Sequence, residues 1–348
     1  MLLGLSNSSG RALCRRTFGK QVHSQSIKRS SRGAATMEPQ TLQMPSLSGF
    51  MQRIKECNEG MEAFSTLKPF LVNGKKVGHF KPEFVEHLSH YPSVFHVSES
   101  QVSLASELDT PEKRTAQVAR VLEELRDKKV IGGWRNELYP VTSSFYDKPE
   151  LLVERAAATH FGMKAYGVHC NGYVVDETGR YKLWVAKRSM SKPNWPGKLD
   201  HIAAGGQPHN LSPTANIIKE CEEEASIPLE LARTAKPVGA VSYTTISSVG
   251  LKPDVLFTFD IQLPLGFTPK PQDGEVEYFE LWPIERVAQT VANTTDFKTN
   301  CNLVIIDFML RHGLIGPDQV STARVAGQNT TRCCNCLILN QVKMSPYG

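Results

Sequence analysis

The stretch from Gly205 to Ile227 constrains this chain more than any other. Paired glycines, Gly205 and Gly206, precede a short polar loop; Ser212-Pro213 then supplies a capping hydroxyl and a proline suited to a first helical turn. Ile217, Ile218, Cys221 and Ala225 recur at helical spacing, so the spacing predicts a helix over Pro213–Ala225 with one apolar face. Glu220, Glu223 and Glu224 fall at i, i+3 and i+4, which places all three on a common opposite face. Carboxylates so spaced repel by about 0.2–0.5 kcal/mol per pair in water, and by more when partly desolvated. Lys219 is the one cation close by in sequence. Two readings stay open: a solvated acidic face, the usual meaning of a glutamate run, or hard oxygen ligands for magnesium or manganese. In the second, the glycines let a phosphate approach the backbone closely.

The order of elements around this helix points to an α+β fold. Ala165–Val175 and Tyr181–Lys187 are β-rich runs joined by the turn-forming Asp176-Glu177-Thr178-Gly179. Further strands are expected at Val238–Thr245, Asp254–Leu263 and Val276–Leu281, followed by a helix, Asn302–Arg311, with Leu303, Ile306 and Leu310 on one face. Strands, one helix, then strands again imply a mixed sheet flanked by helices, and not a doubly wound parallel sheet. Residues 45–150 carry periodicities of their own. Thr110-Pro111-Glu112 opens a helix whose buried stripe is Val118, Val121, Leu122 and Leu125; Phe84, His87 and Leu88 suit a shorter helix, and Ser93–Leu104 reads as a strand. His79, His87, His90 and His96 have no cysteine or carboxylate at fixed spacing and are read as ordinary histidines. This smaller α+β unit bears no catalytic signature. The expected organisation is a leader over 1–36, domains over 45–150 and 160–317, and a disordered tail over 321–348.

Charge excludes some partners. Of the net +5, seven arginines and lysines within residues 1–36 account for +7 with no acid among them, so the rest of the chain carries −2. A general nucleic-acid or anionic-membrane surface therefore has no support, and no run of about 18 apolar residues could span a membrane. The basic, serine-rich, acid-free leader has the composition of a transit peptide, expected to be mitochondrial with a plastid as the alternative; Met37 could start a cytosolic form. The eight cysteines are scattered, apart from Cys333, Cys334 and Cys336, and are read as reduced thiols.

The segment resembles the Nudix box, Gly-x5-Glu-x7-Arg-Glu-U-x-Glu-Glu-x-Gly-U, with U a bulky aliphatic. Lys219-Glu220-Cys221-Glu222-Glu223-Glu224-Ala225-Ser226-Ile227 matches its second half. Lysine stands for the arginine, cysteine for an aliphatic and serine for the glycine. Counted from Gly206 the loop is one residue short, and the loop glutamate is absent, with Leu211 and Ser212 near its place. Beyond the box, Tyr166-Gly167-Val168-His169, Asn171-Gly172-Tyr173, Pro196-Gly197-Lys198-Leu199-Asp200-His201, Asp273-Gly274-Glu275-Val276 and Asn302-Leu303-Val304-Ile305-Ile306-Asp307-Phe308 resemble the Nudix branch related to thiamine pyrophosphokinase, over roughly residues 45–317.

The resemblance implies a Nudix α/β/α sandwich behind a family-specific N-terminal domain. It implies magnesium (or manganese) on Glu220, Glu223 and Glu224, and a small-molecule diphosphate substrate. Glu275, or Glu277, is implied as a further ligand or base, and Arg188, Lys198, Gly205 and Gly206 as contacts to substrate; His201 is expected to be structural. Thiamine diphosphate or an oxidised analogue, cleaved to the monophosphate, is the substrate class so implied. The alternatives are an oxidised nucleoside diphosphate of the 8-oxo-guanine type, or a module that binds without hydrolysis. Trp195, Tyr243 and Phe257 are candidates to stack on an aromatic ring. Oligomeric state is not legible.

Overall fold

The computed structural model describes residues 44–315; the basic leader and the cysteine-bearing tail lie outside the described residues. The chain opens with helix α1 (Leu47–Glu56) and a 3-10 turn, then the hairpin β1 (Lys68–Val72) and β2 (Lys75–Phe80). Its two-residue turn is Asn73-Gly74, with φ of 51° and 75°, the left-handed pair that matches strand twist in a tight hairpin. Helix α2 (Pro82–Leu88), strands β3 (Phe95–Val97) and β4 (Val102–Leu104), and helix α3 (Pro111–Asp127) follow. The expected single strand over Ser93–Leu104 is instead this β3–β4 hairpin, because Ser98 folds the chain back: its hydroxyl accepts from Gln101 N at 3.1 Å. The sheet order is β2-β1-β4-β3, with β1 and β4 parallel. Thr110 caps α3 through Lys113 N at 3.2 Å, and Val118, Val121, Leu122 and Leu125 are buried with Phe70, Phe80, Phe84, Phe95 and Phe161 in one core.

A short hairpin, β5 (Leu138–Val141) with β6 (Leu151–Glu154), leads into the larger sheet. That sheet contains β7 (Ala165–Val175), β8 (Tyr181–Arg188), β9 (Leu199–Asp200), β10 (Ala203–Gly206), β11 (Lys236–Ile246), β12 (Leu251–Gln262) and β13 (Val276–Pro283). Helices α4 (Pro213–Ala225) and α5 (Leu229–Ala232) lie between β10 and β11, while α6 (Ile284–Asn293) and α7 (Thr299–Arg311) end the described chain. The main path is β11-β12-β7-β8-β13, with β7 and β12 parallel and the other pairs antiparallel, so the sheet is mixed as expected. One edge of β7 is shared. Its first half pairs with β10 and its last three residues pair with β8. This division holds β10, and the helix that follows it, against the middle of the sheet.

Strand alternation builds two cores on the two faces. Leu183, Val185 and Leu256 join α6 and α7 on one side, whereas Trp184, Phe259 and Ile261 join Ile217, Cys221 and Ala225 of α4 on the other. Helix α1 belongs to the first of these: Leu47, Phe50 and Ile54 are buried among Val287, Val291 and Ile305. The boundary drawn at residue 45 therefore does not coincide with the boundary between cores. The chain crosses from the larger sheet's core to the smaller sheet's core after α1, because α1's apolar stripe is completed by α6 and α7.

Candidate active site

Strand β10 ends in the paired glycines, and side chains crowd against both. A Cβ at Gly205 would lie 2.3 Å from Glu220 Oε1; one at Gly206 would lie 2.3 Å from the Tyr139 hydroxyl and 3.3 Å from Arg155 Nη2. The loop then turns into α4, where Ser212 Oγ accepts from Ala215 N at 3.1 Å. Asn216, buried, donates to Gly206 O at 2.8 Å and to Gln207 Oε1 at 3.2 Å, tying the first helical turn to the glycine strand.

The three helical glutamates do not share one environment. Glu224 is buried and accepts from Ala204 N at 2.9 Å; Glu220 is half-buried against Gly205; Glu223 is exposed and pairs with Lys219. The common face expected from spacing is thus divided. Residues 223 and 224 are separated by about 100° around the helix, enough to send one to solvent and the other to the sheet. Burial pushes the Glu224 carboxyl well above its ordinary pKa, and Asp200, Glu220 and Glu275 add to the rise. Burial likewise raises Glu220, opposed by Lys219 and assisted by Glu223 and Glu275.

A second arm comes from the loop before β13. Lys270 N donates to Ala225 O at 3.0 Å, and Ser226 Oγ donates to Lys270 O at 3.0 Å, so the loop is pinned to the C-terminus of α4. Glu275 and Asp273 thereby reach Glu224, with ligand oxygens of all three within 4.8 Å of one another. Asp273 Oδ1 also accepts from Glu275 N at 2.8 Å, and Glu275 pairs with Lys192. Glu277 is exposed on β13.

Two of the cations expected at substrate are occupied elsewhere. Arg188 donates to Asp200 Oδ2 at 2.8 Å, Trp195 O at 3.2 Å and Asn194 O at 3.2 Å, which engages all three guanidinium nitrogens. Lys198 donates to Thr295 O at 2.6 Å. Both brace the 194–200 loop. Arg155 stands at Gly206 instead, held by Glu137 at 2.7 Å; it lies between β6 and β7 in no recognisable motif, which is why the sequence offers no pointer to it. Asp273 was within reach, since it sits in the quoted Asp273-Gly274-Glu275-Val276 word.

Beneath the carboxylates lies a buried ionic cluster. Asp200 accepts from Arg188, from Cys301 Sγ at 2.9 Å, from His201 N at 2.9 Å and from Lys298 at 3.4 Å. Burial acts to raise the Asp200 pKa, but Lys298, the His201 hydrogen bond and His169 outweigh it and hold this carboxyl well below the usual range. His201 is buried, with its Nδ1 2.9 Å from His169 Nδ1. Of the stacking candidates, Trp195 is exposed, Tyr243 is buried and donates to Asp254, and Phe257 sits with Phe145 and Tyr166.

A family model described as "Domain of unknown function (DUF4743)" matches residues 49–165. "Nudix hydrolase 20, chloroplastic" of Arabidopsis thaliana is 47% identical over 281 residues, covering 78% of this chain and 75% of that protein. The chain belongs to the Nudix hydrolase family. "Nudix hydrolase 24, chloroplastic" of the same plant is 46% identical over 274 residues, covering 78% and 75%. Among solved structures, the NUDIX domain of Shewanella oneidensis NrtR complexed with ADP ribose matches 44% of this chain and 90% of that one, at 14% identity and a TM-score of 0.34. The family assignment rests on the plant relatives.

Two departures of this Nudix box now have a physical account. Counted from Gly205, the glycine that touches Glu220, the loop has the full length of the box, with Lys219 at the arginine position. Ser226, at the glycine position, has φ 52°, the left-handed conformation that ends α4 and that glycine adopts without strain. The donor set here fits a divalent metal ion. Glu220, Glu224, Asp273 and Glu275 offer hard oxygens around a region where negative charge is already accumulated against desolvation.

Proposed function

We propose that this Nudix hydrolase cleaves the diphosphate bond of a small organic diphosphate, releasing the monophosphate and phosphate, with magnesium as its metal and manganese able to replace it. The convergence of Glu224, Asp273 and Glu275 beside Gly205 and Glu220 carries this reading. A divalent ion in this cradle would neutralise diphosphate oxygens and make an attacking water more acidic. Glu224 and Glu220 would hold it from the helix, and Glu223 would join them on leaving Lys219. Glu275 would bind the ion or take the proton of the water, and Asp273 fixes the Glu275 backbone. Gly205 and Gly206 keep the approach to the strand free of side chains, and Arg155 supplies the positive charge toward phosphate, in place of Arg188 and Lys198.

The finer substrate class is thiamine diphosphate or an oxidised analogue, supported by the resemblance of the words around residues 166–173, 196–201 and 302–308 to the thiamine pyrophosphokinase-related branch. The leader over 1–36 is an organelle address. The names of the two Arabidopsis relatives favour a plastid over a mitochondrion, and a fluorescent fusion of residues 1–36 compared with a chain starting at Met37 tests it. The purified chain with magnesium, assayed for phosphate release from thiamine and nucleoside diphosphates, tests the activity. Expected is turnover of thiamine diphosphates that excess EDTA abolishes and magnesium restores. Preferential cleavage of 8-oxo-guanine nucleotides would replace the substrate class, and full turnover in EDTA would overturn the metal-dependent reading.

A further inference from the structure

A cleft of about 140 Å³ lies beside the glycine strand. Its walls come from two places in the sequence: Pro140 of β5 with Phe145 and Asp147 of the β5–β6 connection, and Tyr166, Gln207 and Leu211 from β7 and the loop entering α4. The first group falls within the 49–165 segment matched by the DUF4743 family model, and the loop belongs to the Nudix box. A void of about 150 Å³ holds one benzene-sized ring, so this cleft has the volume of a single ring.

Three observations join it to the diphosphate site. Gln207, which lines the cleft, directly follows Gly206 and donates from its backbone N to Tyr166 O at 2.8 Å. Tyr139, whose hydroxyl approaches Gly206, directly precedes Pro140 of the cleft wall. Along the extended strand, Gly205 and Gln207 are about 7 Å apart, a separation on the scale of a diphosphate group. A substrate whose phosphates meet Glu220 at Gly205 would therefore bring its organic group to Gln207.

The cleft wall has a definite chemistry. Phe145 and Tyr166 are set edge to face with centroids 5.0 Å apart, and Phe257 supports both, at 4.7 Å from Phe145 and stacked with Tyr166 at 6.1 Å. These rings are braced by one another, as a stacking wall requires. Among the lining residues the one carboxylate is Asp147, and there is no lysine or arginine. Asp147 is exposed, and its Oδ2 accepts from Ser143 Oγ at 2.8 Å, which orients the carboxylate. Lys164 donates to Ser143 O at 2.9 Å and also interacts electrostatically with Asp147, from outside the cleft lining. Aromatic faces and a carboxylate both attract positive charge.

We propose that this cleft is the subsite for the organic group of the substrate, that the group is a planar ring carrying positive charge, and that Phe145 and Asp147 are the residues that select it. The proposal rests on the diphosphate-hydrolase reading for the phosphate half only. It gives the 49–165 segment a task within the Nudix reaction: supplying the specificity wall that the Nudix sheet leaves open.

The test uses the full chain and the variants Asp147→Asn, Phe145→Ala and the conservative Phe145→Tyr, each checked by thermal melting. Initial rates with magnesium are measured on thiamine diphosphate (cationic ring), uridine diphosphate (neutral ring) and methyl diphosphate (no ring). Asp147→Asn is expected to raise KM for thiamine diphosphate about tenfold, the equivalent of about 1.4 kcal/mol, with kcat unchanged and methyl diphosphate unaffected. Phe145→Ala should do the same and Phe145→Tyr should restore binding. Unchanged KM in both variants, or an equal rise for methyl diphosphate, would overturn the subsite. Binding of free thiamine, followed by intrinsic fluorescence without any phosphate, separates this result from the hydrolase reading. Thiamine binding weakened by both variants in a chain that hydrolyses nothing would uphold the subsite and sink the activity, whereas no thiamine binding in a chain that turns over diphosphates would do the reverse.

Discussion

The smaller and larger sheets of this protein bury polar groups in different ways. Around the four-stranded sheet the buried ions are matched. Arg114 donates to Glu150 O, Leu108 O and the Glu150 carboxylate, and Glu150 also accepts from Asn73 and Lys75. Around the larger sheet, Glu224 is buried with one backbone donor and three carboxylates that repel it, and side-chain atoms of Asn171, Trp184, His201, Asn216 and Asn302 are buried without a protein partner. Among the described residues that condition occurs in the larger sheet, its helices and α1, and not in the four-stranded unit. A buried charge normally persists only when it is paired. Glu150 has its cations beside it, whereas Glu224 has one backbone donor and three neighbouring carboxylates.

Neutralising Glu224 should expose this difference most strongly. Glu224→Gln is expected to lower kcat by about 100- to 1,000-fold, the loss of several kcal/mol of transition-state stabilisation, while the metal-free protein melts at the same or a higher temperature. Glu223→Gln, at an exposed position, should have the smaller kinetic effect, and Gly205→Ala, which drives a methyl group into the Glu220 carboxylate, should impair turnover without removing a carboxylate. A large fall in apo stability of Glu224→Gln would make this glutamate as structural as Glu150.

Asp200→Asn should be the costliest substitution for stability. It leaves Lys298 and Arg188 beside a neutral amide in a buried cluster, and breaking such a pair costs about 3–5 kcal/mol. Glu150→Gln should cost less, because buried Arg114 keeps its bonds to Glu150 O and Leu108 O and the other partner, Lys75, is half exposed. Denaturant unfolding of both variants measures the order, and equal costs would show that the backbone acceptors left to Arg114 do not offset the lost pair.

Acid should weaken the four-stranded unit through its buried histidines. Burial lowers both His79 and His160 to about 4. Their unfolded pKa is about 6.5, so between these values the unfolded chain binds protons that the folded chain refuses. Stability is therefore highest above about pH 6.5 and falls as pH drops toward 4. Melts across this range, with amide exchange to locate the loosening, should show the smaller sheet opening. His160→Phe, which keeps a ring against Phe84, should flatten the slope. A slope unchanged in that variant would assign the acid sensitivity elsewhere.

The smallest effects come from two equivalent caps. Thr110→Ala on α3 and Ser212→Ala on α4 each remove one hydroxyl acceptor from a first helical turn, at about 1 kcal/mol. The Thr110 variant should leave turnover intact. The Ser212 variant should also weaken magnesium binding, since α4 carries the glutamates, and equal metal affinity in both would show that the cap merely stabilises.

Strong local signals made much of the fold legible. The bounds of β7 and α4 coincide with the ranges expected from alternation and from the Ser212-Pro213 cap, because both signals lie within one element. The β1–β2 hairpin and α6 are also written locally, in Asn73-Gly74 and in the helical spacing of Ile284, Val287, Ala288 and Val291. The larger sheet's register was not legible, since it pairs β12 with β7 across about 90 residues of chain.

By itself the sequence determined the mixed α+β class, the capped acidic helix, the spacing of Glu220, Glu223 and Glu224, and membership of the Nudix family. These depend on residue identity and on periodicity over a turn or two of helix, which physics enforces wherever the segment lies. Only the tertiary structure decided that Glu224 turns inward and Glu223 outward, that Asp273 and Glu275 arrive from a distant loop, and that Arg188 and Lys198 are spent bracing while Arg155 stands at Gly206. Those outcomes turn on which groups lose their water, and a side chain's hydration is set by neighbours far away in sequence.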